Sequence, residues 1–166
     1  METYNETQKF NQWWIKLILI IPFITVISGI VLGDPESAKS LYLYVSFGVL
    51  GLLSALFYFT KLETKMDETG IKVRFSPFQR TWYFVAWDEL DEVYVRKYKP
   101  ILEYGGWGLR FSLSHGKAFN VSGNMGLQLV LKSGKKFLIG TNNKVLMEDY
   151  LYQLKERYSI SCIKKD

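Results

Sequence analysis

The sequence predicts two membrane-spanning helices at the N-terminus, followed by a mainly β domain that ends in one α-helix. Residues 41–59 contain no charged side chain, and a second apolar run, residues 15–32, lies directly upstream with Lys16 as its only charge. Beyond these runs the apolar residues recur with a period of two, and near the C-terminus the period becomes helical. We therefore divide the chain into a membrane hairpin, residues 1–60, and a globular domain, residues 61–166.

Both apolar runs have the length and flanks of membrane spans. At about 1.5 Å per residue, residues 41–59 form a helix of roughly 28 Å, close to the ~30 Å of a bilayer's hydrocarbon core. Tyr42 and Tyr44 stand at one end and Tyr58 at the other, where aromatic rings prefer the interface. The alternatives are a buried core helix and, for the first run, a cleaved signal peptide. The segment before that run is not basic and no A-x-A pattern follows it, which favours two retained spans.

The distribution of basic residues predicts the orientation of the hairpin. Residues 33–40 make a connection so short that the two spans must run antiparallel, and Lys39 is its only basic residue. Lys9 and Lys16 flank the first span, and Lys61 and Lys65 follow the second. Because Lys and Arg concentrate on the cytoplasmic side, we expect a multi-pass protein of the cell (inner) membrane with both termini cytoplasmic. Residues 1–12 are polar and are predicted to form a flexible or interfacial lead.

About seven short strands and one helix are predicted in the globular domain. Apolar and polar residues alternate between turns that contain Gly or Pro, and the strands cover residues 71–75, 79–86, 93–98, 109–113, 117–121, 127–131 and 137–140. A helix over about residues 143–158 follows. Its residues Met147, Leu151, Leu154 and Tyr158 fall on one face, so we expect that face to cover an open end of the sheet.

Three local patterns accompany this order of elements. They are Glu68-Thr69-Gly70-Ile71, Trp87-Asp88-Glu89-Leu90 and the run over residues 126–136. With the single C-terminal helix they resemble the pleckstrin-homology (PH) superfold in its bacterial PH-like form, which is often fused to a pair of membrane helices. Residues 103–110 also resemble a signature of an uncharacterised prokaryotic two-span membrane family. The resemblance implies a PH-like barrel capped by a helix. It implies no particular ligand, because the superfold carries many functions.

The charge and the rare residues narrow the partners. Residues 60–166 hold 18 Lys and Arg against 12 Asp and Glu, a net charge of +6 that an anionic leaflet would attract. A basic balance also suits nucleic acid, but no long Lys/Arg run or nucleic-acid motif is present, so no nucleic acid is expected. With Cys162 as the one cysteine and His115 as the one histidine, the chain cannot form an internal disulfide or a Cys/His metal cluster. We expect no metal and no cofactor.

No catalytic constellation emerges from the sequence. Asp88, Glu89, Asp91 and Glu92 form an acidic run without a histidine partner, which is typical of a solvated turn. Ser112 and Ser114 lack a nucleophile-elbow context. The glycines at 105, 106 and 108 match neither dinucleotide-binding nor P-loop spacing. We therefore predict that the protein is not an enzyme.

The first candidate site is a basic lip. PH domains that bind phosphoinositides place basic residues on the first two strands and the loop between them, so the resemblance implies an anionic-lipid site at Lys72, Arg74 and Arg80. Phe78 at the loop tip would dip into the interface. The alternative is that Lys72 and Arg74 form the solvated face of an amphipathic strand.

The second candidate site comprises Glu103, Tyr104, Trp107 and Arg110. Gly105-Gly106 suits a two-residue hairpin turn, which would pair Tyr104 with Trp107 and make Arg110 the diagonal neighbour of Glu103. The aromatic rings would then anchor a partner, or they would pack onto the barrel. We expect a membrane-tethered, non-catalytic interaction module that binds a protein partner or a second copy. The alternative is an anionic-lipid headgroup binder.

Overall fold

The computed structural model describes residues 3–10, 12–32 and 38–164. Contacts group the chain into two compact units: Phe10–Thr60, here the helical unit, and Met1–Lys9 together with Lys61–Asp166, here the sheet unit. The elements are β1 (Tyr4–Lys9), α1 (Trp13–Leu32), α2 (Ala38–Phe59), β2 (Lys61–Met66), β3 (Gly70–Ser76), β4 (Tyr83–Ala86), β5 (Leu90–Lys97), α3 (Pro100–Tyr104), β6 (Gly108–Ser112), β7 (Gly116–Asn120), β8 (Met125–Leu131), β9 (Lys136–Thr141) and α4 (Lys144–Tyr158).

The helical unit is an antiparallel pair of apolar helices. The rings of Phe23 and Phe47 meet edge to face with centroids 5.2 Å apart, and those of Phe10 and Phe57 lie 5.5 Å apart. The residue just before α1 therefore contacts the end of α2, and the middle of α1 contacts the middle of α2. Among the described residues, α1 is the one helix long and apolar enough to cross a membrane, with a mean hydropathy of 2.6, and Tyr44–Phe59 forms a shorter apolar helix. Part of the predicted connection, residues 33–37, lies outside the described residues.

The first sheet is antiparallel in the order β1-β2-β3-β4. Lys9, Lys61 and Ser76 are aligned at one end of it, and Tyr4, Met66 and Ile71 at the other. Its inner face is apolar because alternate residues of β2 and β3 point inward, as burial of Leu62, Met66, Ile71, Val73 and Phe75 demonstrates. The predicted turn before Ile71 is confirmed: the amide of Asp67 donates to the carbonyl of Gly70 at 3.1 Å.

The second sheet has the order β5-β8-β9-β7-β6. Strands β5, β8 and β9 are antiparallel neighbours, whereas β7 runs parallel to β9 and pairs with β6 as a hairpin. In sequence this hairpin falls between β5 and β8, yet it lies at the far edge of the sheet. The short helix α3 lies in the connection from β5 to β6. Strands β5 and β6 are consequently the two edges.

The core lies between the sheets and under α4. The ring of Tyr83 packs 5.2 Å from Phe137 and 6.2 Å from Phe119, measured between centroids, and the space enclosed there has no room for a water molecule. Helix α4 covers one end, with Met147, Leu151 and Leu154 buried as predicted. Tyr158 differs, since it is 41 % exposed at the last position of the helix.

The N-terminal residues form a strand, so the prediction of a flexible lead is wrong. Strand β1 turns Glu6 and Gln8 inward, where they are 6 % and 3 % exposed. Glu6 accepts hydrogen bonds from the Thr141 hydroxyl and the Asn142 amide, both at 2.8 Å, and the Gln8 side-chain amide donates to the carbonyl of Gly140 at 2.6 Å. Because the inward residues are polar, β1 lacks the apolar alternation that identifies a strand. The structure thus adds β1 and β2 to the seven predicted strands, and it begins the predicted strand over residues 79–86 only at Tyr83.

Candidate functional site

The basic lip consists largely of charges that already have partners. The ammonium group of Lys72 lies 2.8 Å from Asp67, and the guanidinium group of Arg74 lies 2.8 Å from Glu63. Arg80 lies beyond the end of β3 and is exposed. The structure therefore does not bring Lys72, Arg74 and Arg80 together as one uncompensated cluster.

The electrostatics of these pairs agree with their geometry. Partial burial opposes ionisation of Asp67, but hydrogen bonds from Lys72 and Thr69 outweigh it and lower the pKa of Asp67 to about 2. Burial likewise opposes ionisation of Glu63, whose pKa is nevertheless lowered by Arg74 and Lys61. Both acids remain charged at neutral pH. An incoming lipid phosphate would have to compete with carboxylates held in place.

The predicted hairpin turn at Gly105-Gly106 is wrong, because the segment before it is helical. Helix α3 has Pro100 at its start, and the carboxylate of Glu103 accepts from the amide of Lys99 at 2.7 Å. Gly105 ends the helix in the left-handed region, with φ of 71°. A proline at the first turn and a glycine after the last are ordinary helix boundaries.

The residues of the second candidate site separate into different environments. Glu103 pairs with Arg96 at 2.7 Å instead of with Arg110, which donates through Nε to the carbonyl of Trp107 at 2.9 Å. Tyr104 is 4 % exposed and packs against Tyr98. Trp107 is half-buried, with Nε1 donating to the carbonyl of Gly123 at 3.0 Å. Tyr104 is therefore a core residue, and the expectation that it anchors a partner is wrong.

Strand β6 presents apolar side chains that the sequence did not single out as a surface. Leu109 is 42 % exposed, Phe111 72 %, and Leu113, just beyond the strand, 97 %. Leu109 is aligned with the fully buried Phe119 of β7, so it shares the inner face of the sheet. Alternation at 109, 111 and 113 identified that face correctly. The alternation does not indicate that the first sheet leaves these side chains uncovered.

A groove of about 570 Å³ runs between β5 and α4. Its apolar lining comes from Val95, Leu151, Tyr152 and Ile163, and charged side chains of α4 form its sides. The chain's own segment at Cys162 to Lys164 lies on the edge of β5 as a parallel bridge. The amide of Val93 donates to the carbonyl of Cys162, and the amide of Lys164 donates to the carbonyl of Val93, both at 2.8 Å.

The described residues hold no group of three or more His, Cys, Asp or Glu side chains that could bind a metal ion. The closest approach to a nucleophile–base pair is Ser114 Oγ, 2.8 Å from Nδ1 of His115. These neighbours share a turn, and within the described part of the chain no hydrogen bond joins that ring to a carboxylate to orient it. Cys162 is buried and its burial raises the thiol pKa, which is the opposite of activation.

Comparisons with known proteins identify no relative from which a function could be inferred. No protein-family model matches the chain, and the search of curated proteins finds no significant match.

Proposed function

We propose that this protein is a membrane-tethered, non-catalytic interaction module. In this proposal α1 and α2 cross the cell membrane as a hairpin, and the sheet unit is a PH-like domain at the cytoplasmic face. Its ligand is an extended segment of a protein partner, which binds in the groove between β5 and α4. The observation that carries the proposal is the strand-like seating of the chain's own segment on the edge of β5.

Strand pairing supports an even number of crossings. Lys9, which precedes the helical unit, is aligned with Lys61, which follows it, across β1 and β2. Paired strands lie about 5 Å apart, whereas the two faces of a bilayer's hydrocarbon core are ~30 Å apart. A single crossing by α1 would put these partners on opposite faces, which supports a return crossing by α2. Helix α2, with 22 residues, is long enough to return.

The polar atoms of α2 are compatible with a membrane. The hydroxyl of Ser46 donates to the carbonyl of Tyr42 at 2.7 Å, and that of Ser54 to the carbonyl of Leu50 at 2.8 Å. Such bonds within the helix remove the main cost of placing serine in hydrocarbon. The cytoplasmic orientation is supported by the basic residues that flank the helical unit, Lys9, Lys61 and Lys65, against Lys39 alone at the start of α2.

The groove supports a protein partner because it combines an edge strand with an apolar wall. Val95 lies two residues beyond Val93 on β5, so its backbone N–H and C=O point to the same edge. An extended peptide can add to such an edge through main-chain hydrogen bonds and gain specificity from pockets for alternate side chains. Tyr152, 58 % exposed in the groove wall, supplies an aromatic contact.

Orientation is tested by cysteine labelling in a Cys162→Ser background. A cysteine at Ser37, outside the described residues, is expected to react with a membrane-impermeant reagent added from outside the cell. A cysteine at Glu68, in the exposed turn between β2 and β3, is expected to react only after the membrane is permeabilised. Labelling of both positions from the same side would contradict the two-span hairpin.

Partner binding is tested by photo-crosslinking of the full chain in native membranes. A crosslinking amino acid at Tyr152 is expected to give discrete adducts with one protein, because it lies in the groove wall. The matched control is Leu146, which is 62 % exposed on the same helix but outside the groove. Mass spectrometry of the Tyr152 adduct is expected to find the linked residue in an extended segment of the partner. Equal adducts at both positions would contradict the groove as the binding site.

A further inference from the structure

We infer that the sheet unit rests on the headgroups of an anionic bilayer through a rim formed by Phe78, Arg80, Leu109, Arg110 and Phe111. This inference rests on the proposed tether. It assigns the lipid contact to a different surface from the paired charges of Lys72 and Arg74, and to a different end of the unit from the partner groove.

Contacts between the two sheets indicate at which end of the sheet unit β6 lies. Near β5, Trp87 Nε1 donates to the carbonyl of Asp67, and the hydroxyl of Tyr150 on α4 donates to the carbonyl of Met66, both at 2.9 Å. Further along, the end of β9 contacts Glu6 and Gln8 of β1. Because β7 and then β6 follow β9 in the sheet order, β6 lies toward the end where Lys9 and Lys61 are aligned.

The segment after β3 lies at the same end. Ser76, the last residue of β3, is aligned with Lys61. Two residues later Phe78 is 64 % exposed, with its ring stacked at 6.1 Å on that of Phe75. Only Thr60 separates α2 from Lys61, so the chain itself holds this end within about 8 Å of the end of α2. With α2 crossing the membrane, Phe78 and Arg80 come to the bilayer surface.

The chemistry of the rim matches the interfacial region of a bilayer. Phe78, Leu109 and Phe111 expose apolar side chains to water. Transfer of such side chains into the interfacial region of a bilayer is favourable. The exposed charges beside them, Arg80 and Arg110, are both basic. On the first sheet, Glu63, two residues along β2 from Lys61, already bridges Lys61 and Arg74. The rim is therefore complementary to a surface that is apolar below and negatively charged above.

The same residues disfavour a second copy as the occupant. Strand β6 is an open edge, and two copies could pair there antiparallel about the middle residue of the strand. That residue is Arg110, which would then face its own copy, and like charges directly opposite each other destabilise a strand pair. A charge on an edge strand is a common obstacle to edge-to-edge pairing. A lipid phosphate instead provides the counter-charge.

The test uses the full chain, one copy per nanodisc, in the Cys162→Ser background. A fluorophore attached through Phe111→Cys, or separately through Phe78→Cys, is expected to be quenched by nitroxide lipids when the disc contains phosphatidylglycerol. The matched control is Glu68→Cys, at the opposite end of the first sheet, which is expected to stay unquenched. Adding Arg80→Gln and Arg110→Gln, or raising the salt, is expected to reduce quenching at Phe111 roughly threefold.

The inference is overturned by equal quenching at Phe111 and Glu68, by quenching at neither, or by quenching that the arginine substitutions and salt leave unchanged. Discs of neutral lipid alone distinguish headgroup charge from simple apolar contact, since equal quenching there also contradicts an anionic surface. The proposed function fails separately, through the labelling of Ser37 and Glu68 or the crosslinks at Tyr152. A membrane hairpin without a lipid-bound rim is thus a distinguishable result.

Discussion

The two edges of the five-stranded sheet are treated in opposite ways. Strand β5 buries Leu90, Val93 and Val95, because α4 and the segment at Cys162 to Lys164 cover it. Strand β6 buries no residue, although its apolar residues alternate equally well. An edge strand offers unpaired backbone groups, and proteins protect such edges with added cover or with charge. Here β5 has the cover around Val93, whereas β6 has no such cover and carries Arg110.

An acidic residue placed at each edge is expected to have very different effects on stability. Leu151→Asp, on the buried face of α4 beside β5, is expected to lower the free energy of unfolding by several kcal/mol, because a carboxylate would lose its water without gaining a partner. Phe111→Asp is expected to change it by less than about 0.5 kcal/mol, because that side chain is already solvated. Denaturant unfolding of the detergent-solubilised chain measures both.

Equal destabilisation by the two variants would contradict the contrast between a covered and an open edge. Leu146→Asp, on the exposed side of α4, is the control for the helix itself and is expected to be nearly neutral. A large loss in that control would show that α4 does not tolerate acidic residues anywhere.

A smaller, pH-dependent effect on stability is expected for Glu103 of α3 but not for Arg110 of β6. Burial opposes ionisation of Glu103, but Arg96 and the Lys99 amide lower its pKa below the ordinary value. A lowered folded pKa stabilises the protein above the ordinary carboxyl pKa, and this contribution is lost as the pH falls through the folded pKa. Glu103→Gln is expected to cost about 1–2 kcal/mol at pH 7 and progressively less as the pH falls below about 4.

Arg110→Ala is the matched control for that prediction. Its guanidinium group bonds to a main-chain carbonyl on the exposed surface, so its removal is expected to cost under about 1 kcal/mol. The cost should not change between pH 4 and pH 7. Melting curves of both variants over this pH range give the comparison, and a pH-independent loss for Glu103→Gln would contradict the ion pair with Arg96.

Sequence patterns predicted what depends on local periodicity. Alternation at Ile71, Val73 and Phe75 identified the inner face of β3, and helical spacing identified Met147, Leu151 and Leu154 as the buried face of α4. Both rest on apolar residues facing a core. Strand β1 was missed for the complementary reason: its inward residues, Glu6 and Gln8, are polar and find hydrogen-bond partners more than 130 positions away.

The second candidate site failed on a local ambiguity. Gly105-Gly106 suits a hairpin turn, and Gly105 alone suits the end of a helix. Pro100 favoured the helix, because proline is common in a first turn, but it also reads as the end of the preceding strand. Which apolar strand remains open, as β6 does, depends on the order of strands in the sheet, and alternation within a strand carries no information about that order.

The pairing of Lys9 with Lys61 sets an order of events during synthesis. The ribosome releases β1 before either apolar helix, but the strand that pairs with it, β2, appears only after both helices. Thr141 and Asn142, which donate hydrogen bonds to Glu6 of β1, are made later still. Until β9 is made, Glu6 and Gln8 lack the hydrogen-bond partners that they have in the folded sheet unit. In the proposed topology the sheet can be completed only after the hairpin has entered the membrane and returned, so the stability of the sheet unit would report correct insertion.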